Sequence, residues 1–331
     1  MDFFSNHKKL FSVALVFFLA LSLFICILPA LENQRVYQPL PSSKPLTESE
    51  SRGKDIYIRE GCVACHTQQV RVADMDQVFG SRPSIAADYA RNKRLNLFQN
   101  TATLMGTERT GPDLTNIGAR QSSKEWQFSH LYNPRSVVPQ SIMPSYKWLF
   151  LIKENPSLDD IEVNVPAEFR GNIKGKIIAS QDAKDLVAYL LSLKQTELPK
   201  SITPQEFLYK KKEQKNDKTS ADGNLPDGEA LFVANCASCH QASGEGVPGA
   251  FPPLKGDKVV LGDNLELYVT IIMHGYNGLA PAYGEMPAVG KNANFTPEDV
   301  AAIINHERTS WGNNGKKVTA EEVKVIMDKL N

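Results

Sequence analysis

Two copies of the pentapeptide Cys-x-x-Cys-His, at Cys62-Val63-Ala64-Cys65-His66 and Cys236-Ala237-Ser238-Cys239-His240, constrain this chain more than any other feature. Two thiols three residues apart can add across the vinyl groups of a porphyrin. The histidine that follows is then held where it must coordinate the iron, and this spacing is the attachment signature of c-type haem. Four of the five cysteines are used in this way. A redox dithiol would not require the histidine, and tetrahedral zinc would require the two motifs to meet. The motifs therefore predict two covalently bound haem c groups, each wrapped by its own helical domain.

The length of 331 residues suits about two domains. Lysine plus arginine equal aspartate plus glutamate at 37 each, so nothing in the charge points to nucleic acid. Hydrophobic residues concentrate at the N-terminus, where the 22 residues from Leu10 to Leu31 carry no charge. At about 1.5 Å per residue such a helix spans roughly 33 Å, enough for a hydrocarbon core of about 30 Å. Lys8 and Lys9 precede it and favour a cytoplasmic N-terminus. A cleaved signal peptide fits less well, because Leu28-Pro29-Ala30 is a poor cleavage site. Cys26 reads as a small apolar residue of the anchor. Haem attachment takes place outside the cytoplasm, so the remainder is expected in the periplasm of a bacterium, tethered to the inner membrane by one pass.

The soluble part repeats itself. Gly53-Lys-Asp-Ile-Tyr57 and Gly228-Glu-Ala-Leu-Phe232 lead into the two haem motifs, each a glycine followed by an aromatic one helical turn later. Such a glycine lets a second helix approach closely. Gly111-Pro112-Asp113-Leu114 corresponds to Phe251-Pro252-Pro253-Leu254, and each copy then has a Met-Pro pair and a closing amphipathic helix. Ser180 is the expected N-cap of the first closing helix, and Thr296 with Pro297 starts the second. A last helix is expected from Thr319, with Glu322 completing a capping box.

The fold class is therefore mainly α, one transmembrane helix followed by two all-α cytochrome c domains joined by a flexible linker. The expected bounds are 1–9 cytoplasmic, 10–31 anchor, 32–46 connector, 47–195 first domain, 196–226 linker, 227–312 second domain and 313–331 a C-terminal helix. The linker holds Lys210, Lys211, Lys212, Lys215 and Lys218 and cannot bury a core.

His66 and His240 give each iron one axial ligand. A thioether opposite imidazole stabilises ferrous iron and raises the potential. Met143 and Met286, each in a loop before Pro, are the expected partners, whereas Met273 and His274 follow an apolar helix that already explains a buried Met. Pro112 and Pro252 are candidates to turn a carbonyl toward Nδ1 of the histidine, orienting the ring. His130 and His306 are expected to be surface or structural residues.

The first domain carries more than haem attachment demands. Tyr57-Ile-Arg-Glu-Gly-Cys62, Gln69-Val-Arg71, Arg109-Thr-Gly-Pro-Asp-Leu114, Gly118-Ala-Arg120, Trp126, His130, Asn133-Pro-Arg135, Val137-Val-Pro139, Ser141, Met143-Pro144, Tyr146 and Trp148 stand in a recognisable order. This region, about residues 10 to 148, closely resembles the membrane-anchored mono-haem subunit of the cbb-type haem-copper cytochrome c oxidases. The resemblance implies that Cys62, Cys65, His66 and Met143 carry the haem that feeds electrons to the catalytic subunit. It also implies that the long stretch between His66 and Gly111 packs against that subunit. Residues 149 to 179 and the whole second cytochrome, which resembles class I cytochrome c, depart from that family.

These readings together point to an electron-relay subunit with no small-molecule substrate. The expected upstream donor is a cytochrome c or a quinol–cytochrome c oxidoreductase, and the expected acceptor is a haem-copper catalytic subunit in the membrane. The linker would let the outer domain swing between them. The cytochrome subunit of a nitric oxide reductase, a di-haem peroxidase and a free membrane-tethered shuttle are the competing readings. A peroxidase would need one iron with an open site, whereas both domains offer a Met-Pro ligand.

Overall fold

The structure is a computed structural model that describes residues 3–36, 44–89, 104–208, 225–279 and 282–330. The chain divides into two compact units.

One unit comprises Met1–Leu46, Ile85–Leu104 and Thr196–Pro199. Its helix α1 (His7–Leu21) is capped by Asn6, whose side chain accepts from the Lys9 amide. A π-helical segment, Ser22–Ile27, follows and leads into α2 (Leu28–Val36). The wider turn has a local cause. Pro29 donates no hydrogen bond and its ring would crowd the carbonyl four residues back, and one i→i−5 turn relieves that crowding. The stretch His7–Glu32 is long and apolar enough to cross a membrane. Elsewhere in this unit the Asp88 carboxylate accepts from the amides of Ile85 (2.9 Å) and Thr196 (2.8 Å), tying two distant segments together.

The other unit holds both haem motifs. Around the first, α3 (Glu48–Arg59) starts at a Thr47–Glu50 capping box and crosses the closing helix α5 (Gln181–Ser192), which Ser180 caps. Helix α4 (Lys124–Tyr132) also packs against α5. The crossing is made at Gly53, where a Cβ would collide with the carbonyl of Asp185, and Tyr57 and Tyr189 meet edge to face 5.6 Å apart one turn further on. Asp185 is buried at the crossing and takes hydrogen bonds from Arg52 and Ser49, so Arg52 holds its carboxyl below the usual range.

The second motif repeats the arrangement. Helix α6 (Gly228–Asn235) crosses α8 (Pro297–Thr309) at Gly228, where a Cβ would strike the carbonyl of Ala302, and Phe232 then packs on Trp311 at 5.1 Å. The capping box at Thr296–Asp299 with Pro297 in the first turn starts α8, and Thr319 and Glu322 cap the last helix, α9 (Ala320–Leu330). With α7 (Leu265–His274) these helices enclose a core that includes Val260, Val269, Ile303 and Ile304.

The structure is mainly helical, with one departure in residues 149 to 179. Strands β1 (Phe150–Lys153) and β2 (Lys176–Ala179) pair antiparallel, Phe150 opposite Ala179 and Lys153 opposite Lys176. The run is short and its outward residues Leu151 and Ile152 are apolar, so no alternation announces a strand. The lysine-rich part of the expected linker, Lys210 to Lys218, lies outside the described residues.

Because both crossings bring backbone against backbone, a methyl group cannot be absorbed by a side-chain rotation. Gly53→Ala and Gly228→Ala should each destabilise the protein by about 1–3 kcal/mol, the range for overpacking a tight site. Denaturant midpoints measured for the holoprotein check this. An unchanged midpoint in both variants would show that the crossings have slack.

Candidate haem sites

At the first motif, α3 ends at Arg59 and Gly61 takes φ +74°, which turns the chain into the single helical turn Cys62–Cys65. The His66 amide closes that turn on the Cys62 carbonyl at 3.0 Å. His66 is half-buried, and its Nδ1 lies 2.8 Å from the carbonyl oxygen of Pro112. A carbonyl can only accept, so Nδ1 carries the proton and Nε2 keeps its lone pair for a metal. Gly111 lies flat on the imidazole, since a Cβ there would enter the ring. The loop is pinned by Asp113, which is fully buried and accepts from Thr67 Oγ1 (2.6 Å), the Gln69 amide (2.7 Å) and the Thr115 amide (2.8 Å).

The second motif has the same geometry. The turn Ala237–His240 follows α6, and buried His240 presents Nδ1 at 2.9 Å to the carbonyl of Pro252. Burial lowers the affinity of both histidines for protons, which favours the neutral, ligating form. Burial likewise pushes the Cys62 and Cys239 thiols up to about 12.

Both candidate methionines lie in loops fastened to the same neighbourhoods. Met143 is held through Ser141 Oγ, which accepts from its amide at 3.2 Å. Three residues on, Tyr146 is pushed up to about 12, by burial first and then by the nearby Cys62 and Cys65, which places this segment beside the first motif. Met286 exchanges two backbone hydrogen bonds with Tyr276, and two residues earlier the Gly284 amide donates to Ala250 (3.0 Å), just before Pro252. Met273 instead packs against the core of its domain, and His274 is exposed.

One observation tests directly whether these residues suit a haem. Arg120 Nε, Trp126 Nε1 and His130 Nδ1 are shielded from solvent and have no hydrogen-bond partner among the described residues. All three belong to the surroundings of the first motif. Arg120 donates to the Asp113 carbonyl (2.7 Å), His130 is coupled to the charge of His66, and Trp126 stacks on His130. Orphaned nitrogens of this kind are costly unless a partner fills the space, and the propionate carboxylates of a haem would accept from Arg120 and Trp126, and from His130 as its Nδ1–H tautomer. His130 is half-buried, and desolvation, then His66, push it down to about 4, which suits the structural of the two roles expected for it. Among the described residues no three or more His, Cys, Asp or Glu gather as they would to hold a metal ion.

The two haem regions also touch. Trp126, Val137 and Val138 of the first pack with Val247, Ala250, Phe251 and Cys239 of the second. Asn292 Nδ2 donates to the Ala119 carbonyl (2.7 Å), and Asn164 Nδ2 to that of Gly249 (3.2 Å). Here the second domain does not hang on its linker alone; apolar burial and main-chain acceptors hold it.

Residues 2–216, well over half of the chain, match the family described as cytochrome c oxidase, mono-heme subunit/FixO, so residues 149 to 179 lie within the family match rather than departing from it as expected. The chain belongs to the FixO family. Residues 226–311 match the cytochrome c family, which carries haem c covalently. The chain is similar to cytochrome c-552 of Thermus thermophilus, 37% identical over 115 residues, 31% of this chain and 86% of that protein. It is also similar to the cytochrome c subunit of the quinone alcohol dehydrogenase of Gluconacetobacter polyoxogenes, at 36% over 33% of this chain and 24% of the relative. With the cbb3-type oxidase subunit FixP of Bradyrhizobium diazoefficiens it shares 32% over 26% of this chain and 30% of the relative. This FixO member is therefore an electron-transfer cytochrome c subunit of a cytochrome c oxidase.

The second domain of this FixO protein also contains a buried acid. Glu307 accepts from the Tyr268 hydroxyl, and burial raises its pKa from 4.5 to about 7 despite that bond. A carboxyl whose folded value lies above its unfolded one binds an extra proton when native. Stability is therefore highest below the unfolded value and falls as pH rises through about 7, by roughly 3 kcal/mol in all. Glu307→Gln removes this dependence. Denaturation of both proteins at about pH 5 and pH 8 should show the variant gaining on the wild type by about that amount; a constant difference would refute it.

Proposed function

We propose that this chain is the di-haem electron relay of a cbb-type terminal oxidase. The domain at residues 227–312 accepts electrons from a cytochrome c or a quinol–cytochrome c oxidoreductase and passes them to the domain at 47–195. From there they reach the membrane-embedded haem-copper subunit, where oxygen is reduced to water. The carrying observation is that both motifs, each with its Nδ1-to-carbonyl bond, lie in one compact unit in which the two haem regions touch.

Each haem c supplies a one-electron Fe(III)/Fe(II) couple when bound. Cys62, Cys65, Cys236 and Cys239 anchor the two groups, and His66 and His240 ligate through Nε2. Met143 and Met286 complete the ligand sets. The location of Met273 in the core and the exposure of His274 support the choice of Met286. The chain does no catalysis on its own: its residues fix ligand geometry, exclude water and position one redox centre near the next. The helix at His7–Glu32 anchors it in the inner membrane, with the N-terminus cytoplasmic and both domains periplasmic.

Purification of the chain from native membranes in mild detergent tests the assignment. A multi-helix haem-copper subunit should come with it, and oxygen uptake should begin when reduced cytochrome c is added. Isolation of the chain alone, without oxygen reduction, would overturn the reading. Ligation is tested separately: Met143→Leu and Met286→Leu should each abolish the far-red Met–iron absorption of one haem and lower its midpoint potential, without loss of covalent haem. A variant that retained full far-red absorption would remove that methionine from the ligand set.

A further inference from the structure

A relay requires an electron to cross between the domains, and two residues outside the ligand sets stand at the crossing. Trp126 and His130, one turn apart on α4, stack with ring centroids 4.6 Å apart and planes 9° from parallel. Trp126 faces the second domain. It packs on the cluster of Val137, Val247, Ala250 and Phe251, which also receives Cys239, a thiol of the second motif. His130 lies on the same helix within the first domain, with its Nδ1 shielded from solvent. The shielded Trp126 Nε1 and His130 Nδ1 are two of the orphaned atoms that suit a propionate of the first haem.

Neither ring is required to build α4, which buries Phe128, Leu131 and Tyr132. Tunnelling decays steeply across water or empty space and more gently through atoms in contact. Two parallel π systems in contact, the outer one packed on the apolar cluster that also receives Cys239, put contacting matter on the way from the second domain into the first.

We infer that the stacked Trp126–His130 pair is the conduit through which an electron crosses from the second haem domain to the first. The inference rests on the relay reading. In the step a ferrous c-type haem at Cys236/Cys239 becomes ferric and a ferric one at Cys62/Cys65 becomes ferrous. No bond is made or broken, no proton moves, and neither ring is itself oxidised.

The test uses the full-length holoprotein, partly reduced by a flash-excited dye, and follows the concentration-independent redistribution between the haems. Midpoint potentials and the Soret circular-dichroism couplet, which reports haem–haem geometry, are measured on the same samples. Trp126→Leu keeps an apolar side chain and removes the ring, and with the couplet retained it should slow redistribution about tenfold or more beyond what its measured change in midpoint potential accounts for. Trp126→Phe should stay within about threefold of the wild type, and His130→Leu should repeat the loss from the other end of the stack. A wild-type rate in both leucine variants with the couplet intact would overturn the conduit. So would collapse of the couplet in both, which would make the pair a domain clamp only. Absence of any concentration-independent phase in the wild type would instead overturn the relay reading itself.

Discussion

Each haem region is organised by a helix crossing made of backbone against backbone. Gly53 meets the carbonyl of Asp185, and Gly228 meets that of Ala302. Only a residue without Cβ allows this approach, and the distance it sets determines where the Cys-x-x-Cys turn begins. The aromatic one turn later, Tyr57 or Phe232, fills the angle between the helices. From that fixed point the chain has little choice: the turn places two sulfurs on one side, and the histidine emerges toward the loop that must receive its Nδ1 proton.

The second element of the design is asymmetry between the two regions. The first is elaborated with a β ribbon, a fully buried Asp113 and three orphaned nitrogens near its histidine. The second is a smaller domain whose polar interior includes Asn305, Asn313, Glu307 with Tyr268, and Arg308, the last giving three hydrogen bonds to main-chain carbonyls. Their meeting face is apolar at the centre with side-chain amides around it, the usual anatomy of a specific interface.

Much of this was legible in the residues. The turns at the two Cys-x-x-Cys-His motifs, the caps at Ser180, Thr296 and Thr319, the glycine crossings and the prolines facing the histidines all follow from local chemistry, because each rests on a residue type that does one thing well. The β ribbon was not legible, since four-residue strands with apolar residues on both faces carry no period. The stacking of His130 on Trp126 and the domain contact were not legible either. They depend on which surfaces meet in three dimensions, and single residues such as Val137 or Val247 look the same in a core and at an interface.

The bond between histidine and proline has a genetic consequence. Its acceptor is a main-chain carbonyl, so no substitution at position 112 or 252 deletes the oxygen that orients the ring. Ring orientation and tautomer are thereby insulated from drift in side chains, in both domains and by the same device. Any divergence in redox potential between the two halves of this duplicated architecture must then have arisen elsewhere, in the donors, acids and apolar residues that differ around each crevice.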